Sequence, residues 1–494
     1  MSGVATPSTP VPSATYDRTP VAANDPRLAL LRSEPVVLVA MLASLALYYF
    51  VPNLPIRGLG LVAFFGLTLY RIDLSLAMVP LAAPLFYHYY PLGRLQFSLA
   101  EVIILCQTVA WVVKDGLTLL RTRRLDWVAA TLRQPLVLLA LLFGAIATVW
   151  LLVPSGENRQ FAIRDYRVTI LEPLLFFLLV VRWLHTERDI WRMVVAWLIA
   201  SAAVGYVGVE QFLFGEAWNM EGVNRVSSVY PSATAFGIYA GRALALGLVL
   251  FYFLPREWKR WRLAVGLLSA IIGLGVLFSF ARGAWIGVFV ALAVVALVTR
   301  YRPLLISVAG VVAAGVVAML LAFAGNVERL TSIFNLGTED NTGVARFRIW
   351  EAARRILLDH PILGIGQDQF AYQDPSYGVP TSRLFTTSHP HNFLLDFWLR
   401  LGLPGLFWIL GTLAFVTWQF QALWLRHKGT ALGALSLGLM ASLVDFAVHG
   451  LLDMAYFTMD LALTFWLTLG LLVLMKKLGP VVDDGRWTID DGRW

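Results

Sequence analysis

Long apolar stretches follow one another along most of the chain, and short polar segments separate them. A helix needs about 20 predominantly apolar residues to cross the hydrocarbon core of a bilayer. The pattern therefore predicts an all-α integral membrane protein with about 12 to 14 transmembrane helices. The predicted spans are residues 36–52, 57–70, 74–91, 97–118, 134–153, 166–184, 192–213, 232–254, 262–281, 283–299, 303–325, 392–420, 429–452 and 456–475.

Composition agrees with a bilayer as the solvent. The 494 residues are 58% hydrophobic and only 14% charged, which lies outside soluble usage. A net charge of +8 could indicate nucleic-acid binding, but Lys and Arg cluster in short segments between the apolar stretches, as topology signals do. We therefore expect no nucleic-acid partner. Placing the basic segments near residues 121–133, 256–262 and 426–428 inside predicts that both termini are cytoplasmic.

The chain is predicted to have five regions. Residues 1–35 are rich in Pro, Ser, Thr and Ala and form a disordered cytoplasmic tail without a cleavable signal peptide. Residues 36–325 form a transmembrane bundle, 326–391 a long periplasmic or extracellular loop, and 392–476 the C-terminal transmembrane helices. Residues 477–494 form a low-complexity cytoplasmic tail in which DDGRW occurs twice. The single cysteine excludes a disulfide within the chain.

Several arginines oppose the expected charge bias. Short outer segments are usually poor in arginine. Arg164, Arg167, Arg225 and Arg282 nevertheless lie at or beside segments predicted to face outward. An anionic ligand would explain their placement, and the alternative is that they snorkel to lipid phosphates.

Ionisable residues also occur inside the predicted helices, mostly in their outer halves. Charge at such depth is costly unless it is paired or hydrated, so a water-filled cavity opening outward would explain the set. Asp445, His449 and Asp453 are spaced i, i+4, i+8 and share one helix face, which we expect to line that cavity. An ion-pair network between helices is the alternative. The residues in outer halves are Glu101, Glu172, Asp396, His449, Asp453 and Asp460.

The long outer loop contains an amphipathic segment. In RFRIWEAARRILLDHP, residues 346–361, Trp350, Ala353 and Leu357 recur at helical spacing with arginines between them, which predicts a helix on the membrane surface. A proline and glycines then end it. The chain re-enters the membrane through TSHPHNF, residues 387–393.

Two histidines in this HPHN sequence are candidates for chemistry. His389 and His391 could ligate a metal ion if folding brought His360 or His449 to them as a third ligand. A neutral imidazole, with an unperturbed pKa of about 6.5, is better suited to removing a proton from a hydroxyl. We therefore predict that His391 is a base, that no metal is bound, and that His389 packs or caps the loop.

An arginine cluster and a base around one outward cavity indicate group transfer from a phosphorylated carrier. Guanidinium groups match phosphate oxygens in bidentate geometry. They would stabilise the charge that grows on a lipid pyrophosphate as its bond to a sugar breaks. The sequence has no ATP or nucleotide motif. The energy would therefore arrive with a lipid-linked donor.

Three motifs resemble one known family. SFARGAWIGV, residues 279–288, resembles the S-x-S-R-G-A-W-x-G element of the O-antigen ligase and polymerase family. RFRIWEAARRILLDHPILGIGQDQF resembles its R-x-x-x-W segment followed by hPllGxG, and SHPHNFLLDFWLRLGLPGL, residues 388–406, resembles its H-N-x-x-L element and G-L-x-G-L turn. The resemblance covers residues 160–475. Phe280 and Ala281 stand where the family often has a second serine.

The resemblance implies a metal-independent, GT-C-like glycosyltransferase that needs no cofactor. It would be a multi-pass protein of the cell inner (cytoplasmic) membrane, in contact with membrane lipids and with its active site facing outward. Its donor would be a glycan on undecaprenyl pyrophosphate, and its acceptor a glycan, a lipid or a protein. Ligases, polymerases and protein-glycosylating members share the motifs; ligase or polymerase is favoured because the sequence shows no dedicated protein-acceptor segment.

The resemblance also assigns roles by position. His391 would be the catalytic base, and Arg282 would act in catalysis and bind the donor pyrophosphate. Arg346 would bind the same pyrophosphate, and so would Arg164 or Arg167, which the motif does not separate. The residues expected to line the cavity are Asn392, Asp445, His449 and Asp453.

The alternative from another class is a polysaccharide or lipid transporter, or flippase. Alternating access predicts two related halves with broken helices around a central site, and the sequence shows no such repeat. A purely structural membrane protein would not need arginines placed against the topology bias.

Overall fold

The computed structural model describes residues 33–478 except 93–94, 125, 155–157, 216–217, 221–222, 305, 308, 311–312, 314–341 and 380–387. Over these residues the chain is predominantly helical, with two short antiparallel hairpins. The predicted class, an all-α integral membrane protein, is confirmed.

The α-helices in the described part of the chain are α1 (Glu34–Phe50), α2 (Leu54–Tyr70), α3 (Ile72–Ser75), α4 (Met78–Ala82), α5 (Leu99–Thr122), α6 (Asp126–Leu132), α7 (Pro135–Val149), α8 (Arg159–Tyr166), α9 (Glu172–Trp183), α10 (Glu187–Phe214), α11 (Ala233–Phe253), α12 (Lys259–Phe278), α13 (Arg282–Thr299), α14 (Thr342–Asp359), α15 (Phe393–Arg426), α16 (Ala431–Gly450) and α17 (Met459–Lys477).

Shorter elements join these helices. The strands are β1 (Tyr89–Leu92) with β2 (Leu95–Ser98), and β3 (Trp218–Met220) with β4 (Val223–Arg225). A π-helical turn, Arg167–Leu171, connects α8 to α9. The 3₁₀ turns are Ala83–Leu85, Trp150–Leu152, Arg256–Trp258, Phe370–Tyr372 and Pro375–Tyr377.

Nine helices within the described ranges are long and apolar enough to cross a membrane, and three apolar stretches, Glu34–Phe50, Leu54–Tyr70 and Ile72–Leu85, are shorter. The nine are α5, α7 with its 3₁₀ extension, α10, α11, α12 with its preceding turn, α13, α15, α16 and α17. The predicted span 303–325 lies mostly outside the described residues, as do nearly all of both tails and parts of the long loop.

Two predicted spans are not continuous helices. The stretch 74–91 breaks into α3, α4, a 3₁₀ turn and β1. Pro80 lies within α4 and Pro84 within the 3₁₀ turn, and neither can donate the backbone hydrogen bond to the preceding turn that a continuous helix would need. In 166–184, the π-helical turn comes directly before Glu172 and Pro173, so the same property of proline explains the irregular backbone there.

The core of the bundle is formed by the last helices of the chain. In α17, 94% of the apolar window is buried inside the protein, and in α16 83% is buried. The corresponding fraction is only 28% for α7 and for α12, whose exposed apolar side chains are therefore available to lipid. The most buried helices thus hold the inner positions, and α11, α13 and α15 pack around α16.

The segment after α14 is fixed onto α15. The backbone N–H of Ile365 donates to Leu399 O at 2.7 Å, and that of Leu403 donates to Ile362 O at 2.9 Å. α15 kinks between these contacts at Gly402, which has a φ of 63°. A side chain would be strained at that angle, so glycine permits the kink.

α14 is amphipathic, as the sequence predicts, but its buried face packs on protein. Ile349, Ala353 and Ile356 form a small separate core with Phe370 and Leu399. The opposite face leaves apolar side chains such as those of Phe347 and Leu358 exposed. α14 is thereby held against α15, which brings its first turns close to the end of the bundle.

Candidate active site

A polar cavity of about 720 Å³ gathers segments that are far apart in the sequence. Its wall is made by α8, β4, the start of α11, α14, the loop before Phe370, the residues on both sides of the α15 start, and the α16–α17 connection. The ionisable groups on it are Tyr87, Asp165, Arg225, Arg346, Asp368, His389, His391, Arg400, Asp453 and Asp460. A cavity with convergent polar groups is the form that ligand sites take.

His391 is paired with a carboxylate at this wall. Its Nδ1 lies 3.0 Å from Oδ1 of Asp453. An ionised carboxylate only accepts hydrogen bonds, so Nδ1 carries the proton and Nε2 retains the lone pair. The φ of His391 is 48°, a left-handed conformation that is sparsely populated by residues other than glycine and is concentrated at functional sites. In this arrangement Nε2 of His391 is free of the contact with Asp453 and can accept a proton.

The surroundings of Asp453 keep it ionised. Its Oδ1 also accepts from the backbone N–H of Met454 at 2.8 Å, and Arg346 approaches Oδ2 at 3.8 Å. Burial disfavours the charge, but the hydrogen bond from His391 and the electrostatic effect of His391, His389 and His449 outweigh burial and hold the pKa of Asp453 below its usual range. An ionised Asp453 stabilises a protonated His391, as the acid does in hydrolase triads.

His389 has a supporting position. Its Nδ1 accepts the backbone N–H of His391 at 3.2 Å, and the two rings lie 4.1 Å apart. Burial, followed by the charge of His391, lowers the pKa of His389 to about 3. A neutral His389 whose Nδ1 accepts from the adjacent backbone fits the predicted packing role better than a role in proton transfer.

The same residues also offer a possible metal site. Ligand atoms of His389, His391 and Asp453 lie within 4.8 Å of one another. The sequence prediction considered His360 or His449 as a third ligand, whereas the structure brings Asp453 to this position. A metal ion would have to replace the hydrogen bond between His391 and Asp453 and would lie near the guanidinium of Arg346. Both features disfavour a cation there.

Three arginines line the cavity, and one of them, Arg400, belongs to a buried ion network. Arg346, at the start of α14, lines it as the motif predicts, and so does Arg225 at the end of β4. The Nε of Arg225 donates to Ser279 O at 3.1 Å, and Val226 N donates to Phe278 O at 3.2 Å. The SFARG turn therefore holds Arg225 at the cavity. Sequence reasoning noted Arg225 only as an arginine against the charge bias.

The structure separates Arg164 from Arg167. A single nitrogen of Arg167 lies 2.6 Å from Glu101 and 2.8 Å from Glu172, and both glutamates are buried. Arg164 is exposed, and its guanidinium lies over the ring of Tyr89 at 5.6 Å. Neither side chain is among those that line the cavity. Arg167 is committed to a structural ion cluster, and Arg164 is the one left available to an anion.

Arg282 belongs to the turn that leads from α12 into α13. It is the first residue of α13 and is exposed, next to the buried Ala281. Its side chain is not among those that line the cavity. Phe280 has a φ of 49° and lies in the turn between α12 and α13. It is one of the two residues that stand where the family often has a second serine. This turn directs the start of α13 toward the end of the bundle that holds the cavity.

The other residues predicted to line the cavity have different positions, apart from Asp453. Asn392 caps α15 by accepting from the N–H groups of Leu394 and Leu395, and its amide donates to Leu451 O at 3.0 Å. It thereby fixes the helix start to the α16–α17 connection. Asp445 and His449 have no exposed surface and are not among the residues that line this cavity.

Glycines accommodate these two buried groups. A side-chain carbon at Gly283 would lie 2.7 Å from Nε2 of His449, and Gly287 and Gly241 leave room for Asp445. The glycines of the RGAWIG motif thus let α13 approach α16 closely. Asp445 and His449 both lie on α16, but this helix ends at Gly450, so Asp453 does not share its face. Asp453 lies in the α16–α17 connection and reaches the cavity from there.

A buried ion network forms another part of the cavity. Arg400 donates to Asp396 and to Asp165, each at 2.7 Å, and lies 4.0 Å from Asp368. Sequence reasoning did not pair these residues, because Arg400 and Asp165 are 235 positions apart. One arginine among three carboxylates leaves this side of the cavity acidic.

The fold and the cavity define a multi-pass membrane protein with a polar site at one end of its helices. Residues 267–410 match the family model of O-antigen ligase. The match confirms the resemblance to the O-antigen ligase and polymerase family and supports a membrane glycan-transfer function of that kind. It includes Arg282, Arg346 and His391, while Asp453 lies beyond it. No curated protein matches the chain.

Proposed function

We propose that this protein transfers a glycan from an undecaprenyl-pyrophosphate carrier to an acceptor hydroxyl at the outer face of the cell inner (cytoplasmic) membrane, as a ligase or polymerase. The observation that carries this proposal is the pair of His391 and Asp453 at the wall of the cavity, with Arg346 beside it. A base oriented by a carboxylate and a cation in one cavity suit transfer from a phosphorylated carrier.

The reaction follows from these positions. Nε2 of His391 takes the proton of the acceptor hydroxyl as its oxygen attacks the anomeric carbon of the donor sugar. The bond between that carbon and the phosphate oxygen breaks, and the electron pair stays on the departing lipid pyrophosphate. Asp453 stabilises the imidazolium while it exists. The products are a new glycoside and the free lipid pyrophosphate.

Arginines hold the pyrophosphate in this scheme. Arg346 and Arg225 reach it from the cavity wall, and Arg282 and Arg164 bind it where the lipid enters. Arg167 has no part in donor binding, because Glu101 and Glu172 already compensate its charge. A planar guanidinium can contact two phosphate oxygens at once, which fixes the donor and stabilises the growing charge.

No metal ion takes part in the proposed reaction. Arg346 supplies the positive charge next to the reacting atoms, and Asp453 is used to orient His391. This assignment is tested directly with purified protein in lipid nanodiscs, a polyprenyl-pyrophosphate-linked oligosaccharide and a chelator. We expect release of lipid pyrophosphate to continue at the same rate in the presence of the chelator.

The same experiment distinguishes the alternatives. If activity were lost with the chelator and recovered with a divalent cation, a metal ion bound by His389, His391 and Asp453 would supply the positive charge instead of Arg346. Movement of the intact donor across a vesicle membrane without cleavage would identify a transporter. Hydrolysis or transfer that depends on His391 supports the proposal.

The outward orientation has its own test. In a Cys106→Ala background, we expect an impermeant maleimide to label a cysteine placed at Ser376, in the described part of the long loop, in intact cells. A cysteine placed at Arg123, at the end of α5, should be labelled only after the cells are opened. The reverse pattern would place the active site on the cytoplasmic face.

A further inference from the structure

One side of the cavity is acidic, and the proposed reaction does not use it. Asp165 and Asp368 both line the cavity together with Arg400. The guanidinium of Arg400 already contacts Asp396 and Asp165 at 2.7 Å, so its charge is shared before it reaches Asp368 at 4.0 Å. Burial raises the pKa of Asp368 and that of Asp165, although Arg400 opposes the change in both. We call the part of the cavity formed by Asp165 and Asp368 the acidic wall. It has more hydrogen-bond acceptors than donors.

The local backbone presents Asp368 to the cavity. Its neighbours Gln367 and Gln369 are buried, and their amides donate to Ala147 O at 2.8 Å and to Gln367 O at 3.0 Å. Asp368 lies between them with a φ of 53° and a side chain that is 34% exposed. Aspartate is among the residues that tolerate this left-handed conformation. The buried Gln367 and Gln369 thus anchor the backbone on both sides of Asp368, and the carboxylate of Asp368 stays accessible.

A second observation shows that the network lacks a donor. Asp396 is 1% exposed, and its Oδ1 accepts from Arg400 at 2.7 Å. Its Oδ2 has no hydrogen-bond partner among the described residues. A buried carboxylate oxygen without a donor is costly, so the ion network behind the wall is short of hydrogen-bond donors, although Asp396 itself does not line the cavity.

Aromatic and apolar groups adjoin the acidic wall. Phe457 lines the cavity, and the guanidinium of Arg400 lies 4.6 Å from its ring centroid. Tyr372 is stacked on Phe161 at 5.1 Å, and its pKa is raised first by desolvation and then by the charge of Asp368. Phe457 is only 4% exposed, so the recognition of a sugar at this wall rests on the carboxylates, which match the donating hydroxyls at the rim of a sugar ring.

The geometry points to the acidic wall as the acceptor-sugar subsite, which takes an uncharged or amino sugar and rejects one that carries a carboxylate. This inference rests on the proposed glycan transfer and deepens it. Hydroxyl groups would form charge-assisted hydrogen bonds to Asp165 and Asp368. A uronic acid would place a like charge against them, which is a repulsive determinant of specificity. The donor pyrophosphate is meanwhile held by arginines elsewhere on the wall.

The test uses three acceptor probes with one aglycone, the p-nitrophenyl glycosides of glucose, glucosamine and glucuronic acid. Full-length protein in nanodiscs is given a polyprenyl-pyrophosphate-linked disaccharide, and kcat/KM is measured for each probe. Binding of each probe is measured separately by saturation-transfer NMR, which does not require turnover. We expect wild-type protein to prefer the glucoside to the glucuronide by about tenfold or more.

Asp368→Asn is the informative variant, because the contact of Arg400 with Asp165 remains and asparagine tolerates the same backbone angle. We expect it to reduce the preference to about threefold by improving the glucuronide, with the KM for the donor unchanged. The matched control is Glu351→Gln, which removes an exposed acid from α14 outside the cavity. The control should keep the wild-type preference.

The outcomes separate the two proposals. Transfer without discrimination among the probes, or an Asp368→Asn protein with the wild-type preference, would overturn the acceptor subsite and leave the transfer reaction standing. Discrimination in the NMR experiment without any transfer would overturn the proposed function and leave a sugar-binding acidic wall.

Discussion

Arg167 and Arg346 are equally exposed to solvent, but they lie in two regions that differ in the number of carboxylates around the arginine. Each has 33% of its side chain exposed. Arg167 lies within 2.8 Å of two buried glutamates. Arg346 has Asp453 at 3.8 Å, and Asp453 also accepts a hydrogen bond from His391. The first arginine is fully compensated, whereas the second retains charge that can act on a ligand.

This difference affects how arginines at the end of a membrane bundle are interpreted. Position and exposure do not distinguish a structural arginine from a ligand-binding one, because both must lie near water. We propose that the number of carboxylates within contact distance distinguishes them. We therefore expect substitutions in the cavity to change the reaction. Substitutions in the compensated cluster, formed by Arg167, Glu101 and Glu172, should change stability.

The largest effect is expected for His391. A positioned base contributes about 10² to 10⁴ in rate. His391→Ala should therefore lower kcat by a factor in that range and leave donor binding nearly unchanged, because the arginines hold the donor in both ground and transition states. The measurement is single-turnover transfer, together with donor binding in the same nanodisc preparation.

His389→Ala is the matched control for this prediction. It should lower kcat much less, because His389 supports the backbone of His391 and stays neutral. His391→Gln, which has similar size without the same basicity, should not restore the rate. Near-normal turnover in His391→Ala beside an inactive His389→Ala would reverse the assignment of the two histidines.

A smaller effect is expected for Arg346. Arg346→Ala should lower kcat/KM for the donor by about 10- to 100-fold, since it removes a charge-assisted contact with the pyrophosphate. Arg346→Lys should recover only part of the loss, because lysine keeps the charge without the planar fork. Steady-state kinetics with varied donor concentration tests both. Wild-type kinetics in Arg346→Ala would show that this arginine only orients Asp453.

The compensated cluster should behave in the opposite way. Arg167→Ala leaves Glu101 and Glu172 buried without a cation, so we expect a lower thermal unfolding temperature. The kcat/KM of the folded fraction should stay within about threefold of wild type, because removing this arginine takes no contact from the donor. A double variant with Glu101→Gln should regain part of the stability. A large loss of donor affinity at normal stability would return Arg167 to the donor site.

The sequence predicts the helices far better than the contacts between them. Apolar stretches identify membrane helices because the hydrocarbon core selects composition and length directly. The stretch 74–91 contains Pro80 and Pro84 and is divided into short elements, although its apolar composition predicts a single span. The GxxxG-like spacing of Gly283 and Gly287 is also readable, although only the structure shows that it makes room for Asp445 and His449.

The site is partly predictable for a related reason. His391, Arg346 and Arg282 lie in motifs, so a resemblance can assign them. Asp453 was expected on a polar helix face, but its contact with His391 joins residues 62 positions apart. Arg167 differs from Arg164 in pairing with Glu172, five positions further on, and with the distant Glu101. Side-chain partners set by tertiary packing leave no local signal in one sequence.

The smallest effect concerns pH and depends on the acidic wall. Burial raises the pKa of Asp165 to about 7, against the opposing charge of Arg400. A carboxyl group with a raised pKa is neutral below that value and becomes charged as the pH increases. The groups facing Asp165 are Arg400 and Asp396 on α15 and Asp368 in the preceding loop. Raising the pH from about 6 to 8 should therefore add negative charge to the wall.

The expected result is a preference for the glucoside over the glucuronide that grows a few-fold across this range. Both probes share one aglycone and one donor, so the ratio of their kcat/KM values cancels any pH dependence that is common to both reactions. The glucuronide carboxylate stays ionised throughout, because an unperturbed carboxyl group has a pKa of about 4. Measuring the ratio at three pH values tests the sign. A preference that stays flat or falls with increasing pH would show that the charge of the wall does not select the acceptor.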